Sequence, residues 1–383
     1  MLSKESNRRK RIAINAHLLS GQDSYRRAGI HQYIYQLLCH LPQFSEDFTY
    51  TIYANHTADL DQNPHMRFVS ATLPTERPLA RILWEQLLWP PALLRERADL
   101  LHSMAFVTPF WRPCPAVVTI YDLSFIYYPE RYPAFRRLYL TSQTRRSCRS
   151  ARRVVAISES GRQDIHDLFG VPLSRIAVVP PGVTAAYHPR PTAEVEAFRR
   201  REELPTQFLL HVGTLQPRKN LPVLLEALAQ IKRPELLLVF IGGKGWYYEE
   251  IFARVKALKL EEQVRFTGYV ADETLPLWYN AATIFVFPSI YEGFGMPVLE
   301  AIACGTPVIA ADTSSIPEVV GGAARLFAPH DVNVLAEHLQ TMLDNPGVMA
   351  AMRAHGLEQA RNFSWANSAQ QMITVYEETL AEL

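Results

Sequence analysis

The sequence predicts an α/β protein made of two Rossmann-like parallel-sheet domains, and three observations carry that prediction. At 383 residues the chain exceeds what one hydrophobic core usually organises. Short apolar runs that look like buried strands alternate with helical stretches in both halves, the pattern of parallel sheets joined by right-handed crossovers. The alternation stops at 187–203, a stretch rich in charge and proline that reads as a linker, and restarts after it.

In the first half, strands are expected at 11–15, 49–54, 98–103, 116–121 and 154–157, with an amphipathic helix at 30–41. Residues 156–160 open a further helix with serines available as caps, and 176–183 read as a strand leading out of the domain. In the second half, strands are expected at 208–212, 236–242, 264–269 and 283–288, and helices at 221–230, 247–260 and 273–281. Trp365, Ala369, Met372, Ile373, Tyr376 and Leu380 recur at helical spacing and give a last helix, starting at Phe363, one apolar face.

Composition narrows the function. A hydrophobic content of 48% with 20% charged residues is that of a soluble globular protein. A net charge of +1 argues against nucleic acid as a partner. No apolar run reaches the roughly 18 residues that a membrane span needs, and the polar N-terminus lacks a signal-peptide core. Cys39, Cys114, Cys148 and Cys304 have no metal-site spacing and read as reduced thiols of a cytoplasmic protein. Asp59 and Asp61 form a DxD in a polar loop with no strand framing it, so no metal site is expected.

Two strand-to-helix turns carry the chemistry. Tyr291-Glu-Gly-Phe-Gly-Met-Pro-Val-Leu-Glu300 follows an apolar strand and enters a helix with Pro297 in its first turn. Gly293 and Gly295 let a ligand approach backbone N–H groups at the positive end of a helix dipole, a setting for phosphate. Glu292 and Glu300 frame the turn, and carboxylates accept from sugar hydroxyls. The second turn, His211-Val-Gly-Thr-Leu-Gln-Pro-Arg-Lys-Asn220, places Arg218 and Lys219 just before a helix, where two cations would neutralise a diphosphate. Together the two turns suggest a sugar nucleotide.

Glu292 and Glu300, with the run from Phe287 to Val320 around them, resemble the E-x7-E motif of the group 1 retaining glycosyltransferases of family 4. Arg218-Lys219-Asn220 is similar to the family's phosphate-binding turn, and the resemblance extends more loosely to the segments before Pro180. It implies the GT-B architecture: an acceptor-side domain at 1–188 completed by a crossing helix at 363–383, and a donor-binding domain at 189–362, with the site in the cleft between them. It implies roles as well. Arg218 and Lys219, with the amides around Gly293, Phe294, Gly295 and Met296, would stabilise the departing diphosphate. Glu300 would hold the ribose and Glu292 the sugar. Gly213, Gly243, Lys244, Gly268 and Tyr269 would line the nucleotide site, and Asp122 would bind the acceptor hydroxyl.

The chain departs from the family pattern at three places. Tyr121 stands where the family's histidine contacts the donor sugar, and a phenol can donate to a hydroxyl but is a poor base near neutrality. Thr214 replaces a further arginine found in some members. Only Gly29 remains of the usual glycine pair in the first turn, after Arg26, Arg27 and Ala28, so a place at the cleft and a plain turn both stand as readings. His102, at a strand end, reads as structural at least as readily as catalytic.

The implied function is metal-independent retaining transfer of a hexose to a glycan or lipid-linked acceptor, with GDP-mannose as the first donor and a UDP-sugar as the second. A sugar-nucleotide epimerase on the same architecture and a non-catalytic sugar-nucleotide binder are the other classes. No cofactor is expected beyond the donor substrate. The arginines of 136–153 (Arg136, Arg137, Arg145, Arg146, Arg149, Arg152 and Arg153), interleaved with Phe135, Leu138, Tyr139 and Leu140, make either a basic amphipathic helix against the inner face of a membrane or a solvated helix face. Leu83, Trp84, Leu87, Leu88 and Trp89 make either a second membrane contact or core.

Overall fold

The computed structural model describes residues 8–19, 29–55, 63–75, 77–104, 106–131 and 133–382. The chain divides into two compact units, one formed by Met1–Gly182 with Trp365–Leu383 and the other by Val183–Ser364. Asp59, Asp61, Arg26, Arg27 and Ala28 lie outside the described residues.

In the first unit the strands are β1 (Lys10–Asn15), β2 (Phe48–Tyr53), β3 (Met66–Val69), β4 (Leu100–Ser103), β5 (Ala116–Ile120), β6 (Arg153–Ala156) and β7 (Ile176–Val178). Among the described residues they form one parallel sheet in the order β3-β2-β1-β4-β5-β6-β7. Helices α1 (Ile30–His40), α2 (Pro78–Leu83), α3 (Trp89–Glu96), α4 (Ser124–Tyr127), α5 (Ala134–Ser150) and α6 (Glu159–Phe169) connect them. A π-helical turn, Trp84–Leu88, joins α2 to α3. The β4 and β5 strands are buried at every residue, so neither alternates as a half-exposed strand would, and β4 ends on the buried polar pair His102 and Ser103.

The second unit begins with a helix, α7 (Thr192–Arg201), where the sequence suggested a linker. Phe198 packs edge-on against Trp278 at 5.2 Å, and the Arg199 guanidinium donates to carbonyls of Pro205, Thr206 and Ala281. One buried aromatic and one arginine tie into the unit a stretch whose prolines and charges looked like a spacer. The strands β8 (Phe208–Val212), β9 (Leu237–Ile241), β10 (Val264–Gly268), β11 (Ile284–Phe287), β12 (Val308–Ala311) and β13 (Ala324–Phe327) form a parallel sheet in the order β10-β9-β8-β11-β12-β13. Helices α8 (Leu221–Ile231), α9 (Glu249–Ala257), α10 (Leu275–Ala281), α11 (Met296–Ala303), α12 (Ile316–Val320), α13 (Val332–Asp344) and α14 (Pro346–Ala360) complete it.

The last helix, α15 (Trp365–Ala381), belongs to the first unit. Its expected apolar face is buried from Trp365 to Tyr376 and half-buried at Leu380, with Trp365 lying edge-on to Tyr33 at 5.7 Å. Ser368 donates to the Pro180 carbonyl at 2.6 Å, and Arg152 and Arg153 pair with Glu382. His102, on β4, settles on its structural reading. Its two ring nitrogens lie 2.7 Å from the Tyr376 hydroxyl and 2.7 Å from the Thr119 hydroxyl, and burial lowers its pKa to about 3. A neutral imidazole thus clamps α15 to the sheet. Tyr376→Phe leaves one of those nitrogens buried without a partner and is expected to cost about 1–3 kcal/mol. Chemical denaturation measures it, and an unchanged midpoint and slope would contradict the clamp.

Candidate active site

In a sheet of this order the crevice lies where strand order reverses, between β8 and β11, beyond their carboxyl ends. That topology brings together two turns far apart in sequence. After β8 the chain passes Gly213 and a 3-10 turn at Pro217–Lys219, and Asn220, at φ +55, redirects it into α8. After β11 it runs through Tyr291 and Glu292 to Gly295. The Ile290 N–H donates to the Arg218 carbonyl at 3.0 Å, stitching one turn to the other.

Glu292 sits between the two cations. Arg218 donates to its Oε2 at 2.8 Å and Lys219 to its Oε1 at 2.6 Å, and Arg218 also donates to the Tyr291 carbonyl. The three side chains are only 11%, 8% and 11% exposed for Arg218, Lys219 and Glu292, so their charges act with little screening. Burial alone would raise the Glu292 pKa, but the charges of Arg218 and Lys219 outweigh it and hold the carboxyl at about 2. Two cations and one anion leave the cluster with one net positive charge. The Glu292 backbone is pinned as well: its N–H donates to the Ser314 hydroxyl at 3.0 Å, and the Ser315 hydroxyl donates to its carbonyl at 3.0 Å.

Sequence reasoning missed His211 behind this cluster. Its Nδ1 donates to the Val286 carbonyl at 3.0 Å, and its ring stacks on Phe287 at 5.8 Å. Burial first, and Lys219 second, lower its pKa to about 3, so it adds no charge. Lys219 lies 4.7 Å from the centre of the Phe287 ring.

The glycines work through their backbones. The Gly213 N–H donates to Ile241 and the Gly242 N–H to Gly268, both at 2.8 Å, while the Gly243 carbonyl accepts from Leu215 at 3.0 Å. A Cβ on Gly242 would lie 2.2 Å from the Gly213 oxygen, so the loops after β8 and β9 meet only because that side chain is absent. Gly295 takes φ +107, and a Cβ there would reach within 2.7 Å of Ile316. Phe294 is buried against Phe363, with ring centres 5.5 Å apart, and Met296 and Pro297 start α11. Lys244 is exposed with its ammonium 4.9 Å from the Tyr248 ring, and Tyr269 is exposed with its hydroxyl on Asp272 at 2.7 Å.

Glu300 has a different setting. Its Oε2 accepts from the Tyr279 hydroxyl at 2.8 Å, and Tyr187 also donates to it. Burial raises its pKa to about 7 against the pull of both phenols. Neither tyrosine was singled out from sequence, since Tyr187 looked like linker and Tyr279 like core.

The first-unit candidates separate. Gly29 caps α1 at φ +64, exposed, with nothing within 4 Å of where a Cβ would stand. The expectation that Tyr121 donates to a sugar hydroxyl is not met: its phenol is buried and donates to the Met104 carbonyl at 3.0 Å, with Tyr33 and Phe106 edge-on to its ring. Asp122, the next residue, lines a cavity of about 220 Å³. Among the described residues no group of three or more His, Cys, Asp or Glu side chains is placed to hold a metal ion.

Residues 194–362 match the family model "Glycosyl transferases group 1", and residues 27–187 match "Glycosyltransferase Family 4". The chain is 36% identical over 288 residues to the O-antigen chain mannosyltransferase B of Escherichia coli, covering 74% of this chain and 75% of that protein. It is 31% identical over 269 residues to the serotype-specific mannosyltransferase WbdA of Escherichia coli, covering 67% of this chain but only 32% of that longer protein. HepE from Anabaena, solved in complex with UDP-glucose, has a TM-score of 0.74 over 96% of this chain and 99% of its own, at 19% identity.

The Glu300 carboxyl gives a pH test. Because its folded pKa lies above its ordinary value of 4.5, its proton stabilises the fold fully below about pH 4.5, and that contribution is lost as pH rises through about 7. Glu300→Gln is therefore expected to flatten the fall in melting temperature between about pH 5 and about pH 8. Parallel melting curves for the two proteins across that range would contradict the assignment.

Proposed function

Because the chain belongs to the group 1, family 4 glycosyltransferases, we propose that it transfers mannose from GDP-mannose to a hydroxyl of a glycan or lipid-linked acceptor, with retention and without a metal ion. The observation that carries this reading is the Arg218–Lys219–Glu292 cluster at the switch point of the second sheet. In the proposed reaction the bond from the anomeric carbon to the diphosphate oxygen breaks, and GDP leaves with that electron pair. The acceptor oxygen forms its bond on the same face, and its proton passes to the leaving phosphate oxygen. Charge grows on the diphosphate as the bond opens, and preorganised cations act most strongly where charge develops.

Glu292 has a double part in this scheme. Before donor arrives it fixes Arg218 and Lys219 in place; as they turn to the diphosphate, its ionised oxygens become free to accept from sugar hydroxyls. Glu300, held by two phenols, is the group for the ribose hydroxyls. The amides from Gly293 to Met296, ahead of α11, supply further donors to phosphate.

Mannose is favoured because two relatives are named as mannosyltransferases. A UDP-sugar is the second reading, kept by the UDP-glucose in HepE, a likeness of fold alone at its level of identity. A panel of GDP, UDP, ADP and dTDP with their sugar conjugates, read by thermal shift with and without EDTA, separates the two. Stabilisation by GDP and GDP-mannose that EDTA leaves unchanged is expected. Arg218→Ala and Lys219→Ala are each expected to lower kcat by about 10²–10³, with the α-anomer of the product read by NMR. Selective stabilisation by UDP would transfer the assignment to a UDP-sugar, and abolition by EDTA would remove metal independence.

Membrane contact is part of the proposal, and two features of the first unit support it. Among the described residues, ten of the thirteen exposed large apolar side chains fall between 79 and 138. Residues 77–150 carry eleven arginines, no lysine and five carboxylates, in a chain whose net charge is +1. The second apolar stretch divides: Trp84 and Trp89 are core, whereas Leu79, Leu83 and Leu87, one helical turn apart, are each more than half exposed. On α5 the buried face is Thr144, Ser147 and Cys148, while Phe135 and Leu138 stand exposed beside Arg136 and Arg137, so the helix is not amphipathic in the expected sense. Arginines among exposed apolar side chains suit an anionic lipid surface, each charge contributing about 1 kcal/mol. Co-sedimentation with vesicles containing phosphatidylglycerol, but not with pure phosphatidylcholine vesicles, is expected, and Leu83→Ser/Leu87→Ser should weaken it. Equal recovery in the supernatant from both vesicle types would rule the contact out. No helix among the described residues is long and apolar enough to cross a membrane.

A further inference from the structure

The first sheet has its own switch point, between β1 and β4, and a cavity of about 220 Å³ opens there. Asp122, which follows β5, forms part of its wall, as do Glu85, Arg81, Arg136 and Tyr139. Glu85 is the residue that nothing in the sequence singled out. It lies in the π-helical turn between α2 and α3, a local irregularity frequent at functional sites. The carboxyl is 2% exposed, and its one hydrogen bond among the described residues comes from the Asn15 amide, at the end of β1, to Oε1 at 3.1 Å. A buried carboxyl with an oxygen left over is costly unless something else satisfies it.

Two more groups at the same cavity have unused capacity. Among the described residues the buried Tyr139 hydroxyl has no hydrogen-bond partner. Among the described residues Asp122 accepts from the Ser124 N–H, through Oδ1 at 3.0 Å, and its Oδ2 has no hydrogen bond there. Burial raises the Glu85 pKa to about 7, against the opposing pull of Arg81 and Asn15, so near neutrality this carboxyl can donate as well as accept. Phe106, Phe125 and Leu140 supply apolar wall. Carboxyls that give and take hydrogen bonds, a phenol and apolar walls are the surroundings that one sugar ring satisfies, with hydroxyls at its edge and C–H groups on its faces. The volume is below the roughly 300–1,000 Å³ of sites for larger ligands, so the cavity takes one residue rather than a chain.

We propose that this cavity is a subsite for the terminal hexose of the acceptor, with Glu85, Tyr139 and Asp122 as its hydroxyl-binding groups. The proposal rests on the glycosyltransferase reading, and it assigns to Glu85 the orientation of the acceptor rather than any part in binding the donor. Arg81 and Arg136 share the wall with the two carboxyls, so the lining carries both signs of charge, which suits an uncharged sugar.

The test uses the full chain and two sets of probes. Methyl α-D-mannopyranoside, methyl β-D-glucopyranoside and n-octyl α-D-mannopyranoside report on the cavity by saturation-transfer NMR. GDP and UDP report on the donor site by thermal shift. Tyr139→Phe keeps the ring and the packing, and Glu85→Gln keeps the shape. Both variants are expected to melt within a few degrees of the wild type, to bind nucleotide unchanged and to weaken glycoside binding about tenfold, with Glu85→Asp recovering part of the loss. Glycoside binding equal in wild type and both variants overturns the assignment. So does its absence from a wild type that still binds nucleotide, and in either case the donor reading is left standing. A wild type that binds neither probe overturns the glycosyltransferase reading and the subsite with it.

Discussion

A carboxylate held between two cations, at the ends of two adjacent strands, is the interaction on which the second unit's chemistry depends. Arg218 and Glu292 are 74 residues apart in sequence. They meet because β8 and β11 lie side by side, and β8 and β11 lie side by side because the strand order reverses there. Take away Glu292 and two buried cations lose the carboxylate that bridges them, and breaking a buried pair in this way costs about 3–5 kcal/mol. Take away either cation and the carboxylate loses the charge that outweighs its own burial. The cluster is therefore a structural unit first, and its residual positive charge is what the proposed reaction would use.

The same reasoning explains the glycines. An anion site at strand ends needs loops that approach closely, and the loops after β8, β9 and β10 are joined by backbone hydrogen bonds from Gly213 and Gly242 and to Gly243 and Gly268. The glycines that read in sequence as ligand-contacting also make the contacts that hold these loops together. The side chains placed near the nucleotide by resemblance are less committed: Lys244 lies over an aromatic ring and Tyr269 pairs with Asp272, both on the exposed surface.

Much of this was legible in the sequence, for a physical reason. Buried parallel strands are apolar at nearly every position, so β5, β8, β9 and β11 announce themselves. Turns that gather cations, carboxylates and glycines within ten residues do too. The harder elements were those whose identity is decided by a distant partner. β3 is only partly buried and joins the sheet through Tyr50–Tyr53, so its own pattern says little. α7 is fixed by Phe198 on Trp278, and nothing in Thr192–Arg201 reveals that contact. His211 and Tyr279 were invisible as site residues because a lone aromatic or histidine among apolar neighbours most often packs in a core, and Tyr187 because it opens a stretch of prolines and charges that read as a linker. Tyr121 failed in the opposite direction. Its position in a recognisable segment suggested contact with the donor sugar, but its phenol donates to the Met104 carbonyl and Tyr33 and Phe106 lie edge-on to its ring.

Three carboxyls show how far environment, rather than residue type, sets chemical role. Glu292, Glu300 and Glu85 start from the same ordinary value, and all three are removed from water. Glu292 has two cations in direct contact and is held ionised at about 2. Glu300 has two phenols, which donate hydrogen bonds but bring no charge, and burial prevails to about 7. Glu85 has an amide and, at longer range, Arg81, and burial again prevails to about 7. A permanently charged carboxylate suits the ordering of cations around a diphosphate. A carboxyl that can be neutral or charged suits hydroxyl groups, which donate and accept alike. The two switch points thus share one topology and carry different electrostatics: a net positive cluster where phosphate would sit, and a polar cavity lined by both signs of charge where an uncharged sugar would. A transfer reaction between a charged donor and a neutral acceptor needs both, and the distribution of charged partners around three glutamates is enough to provide them.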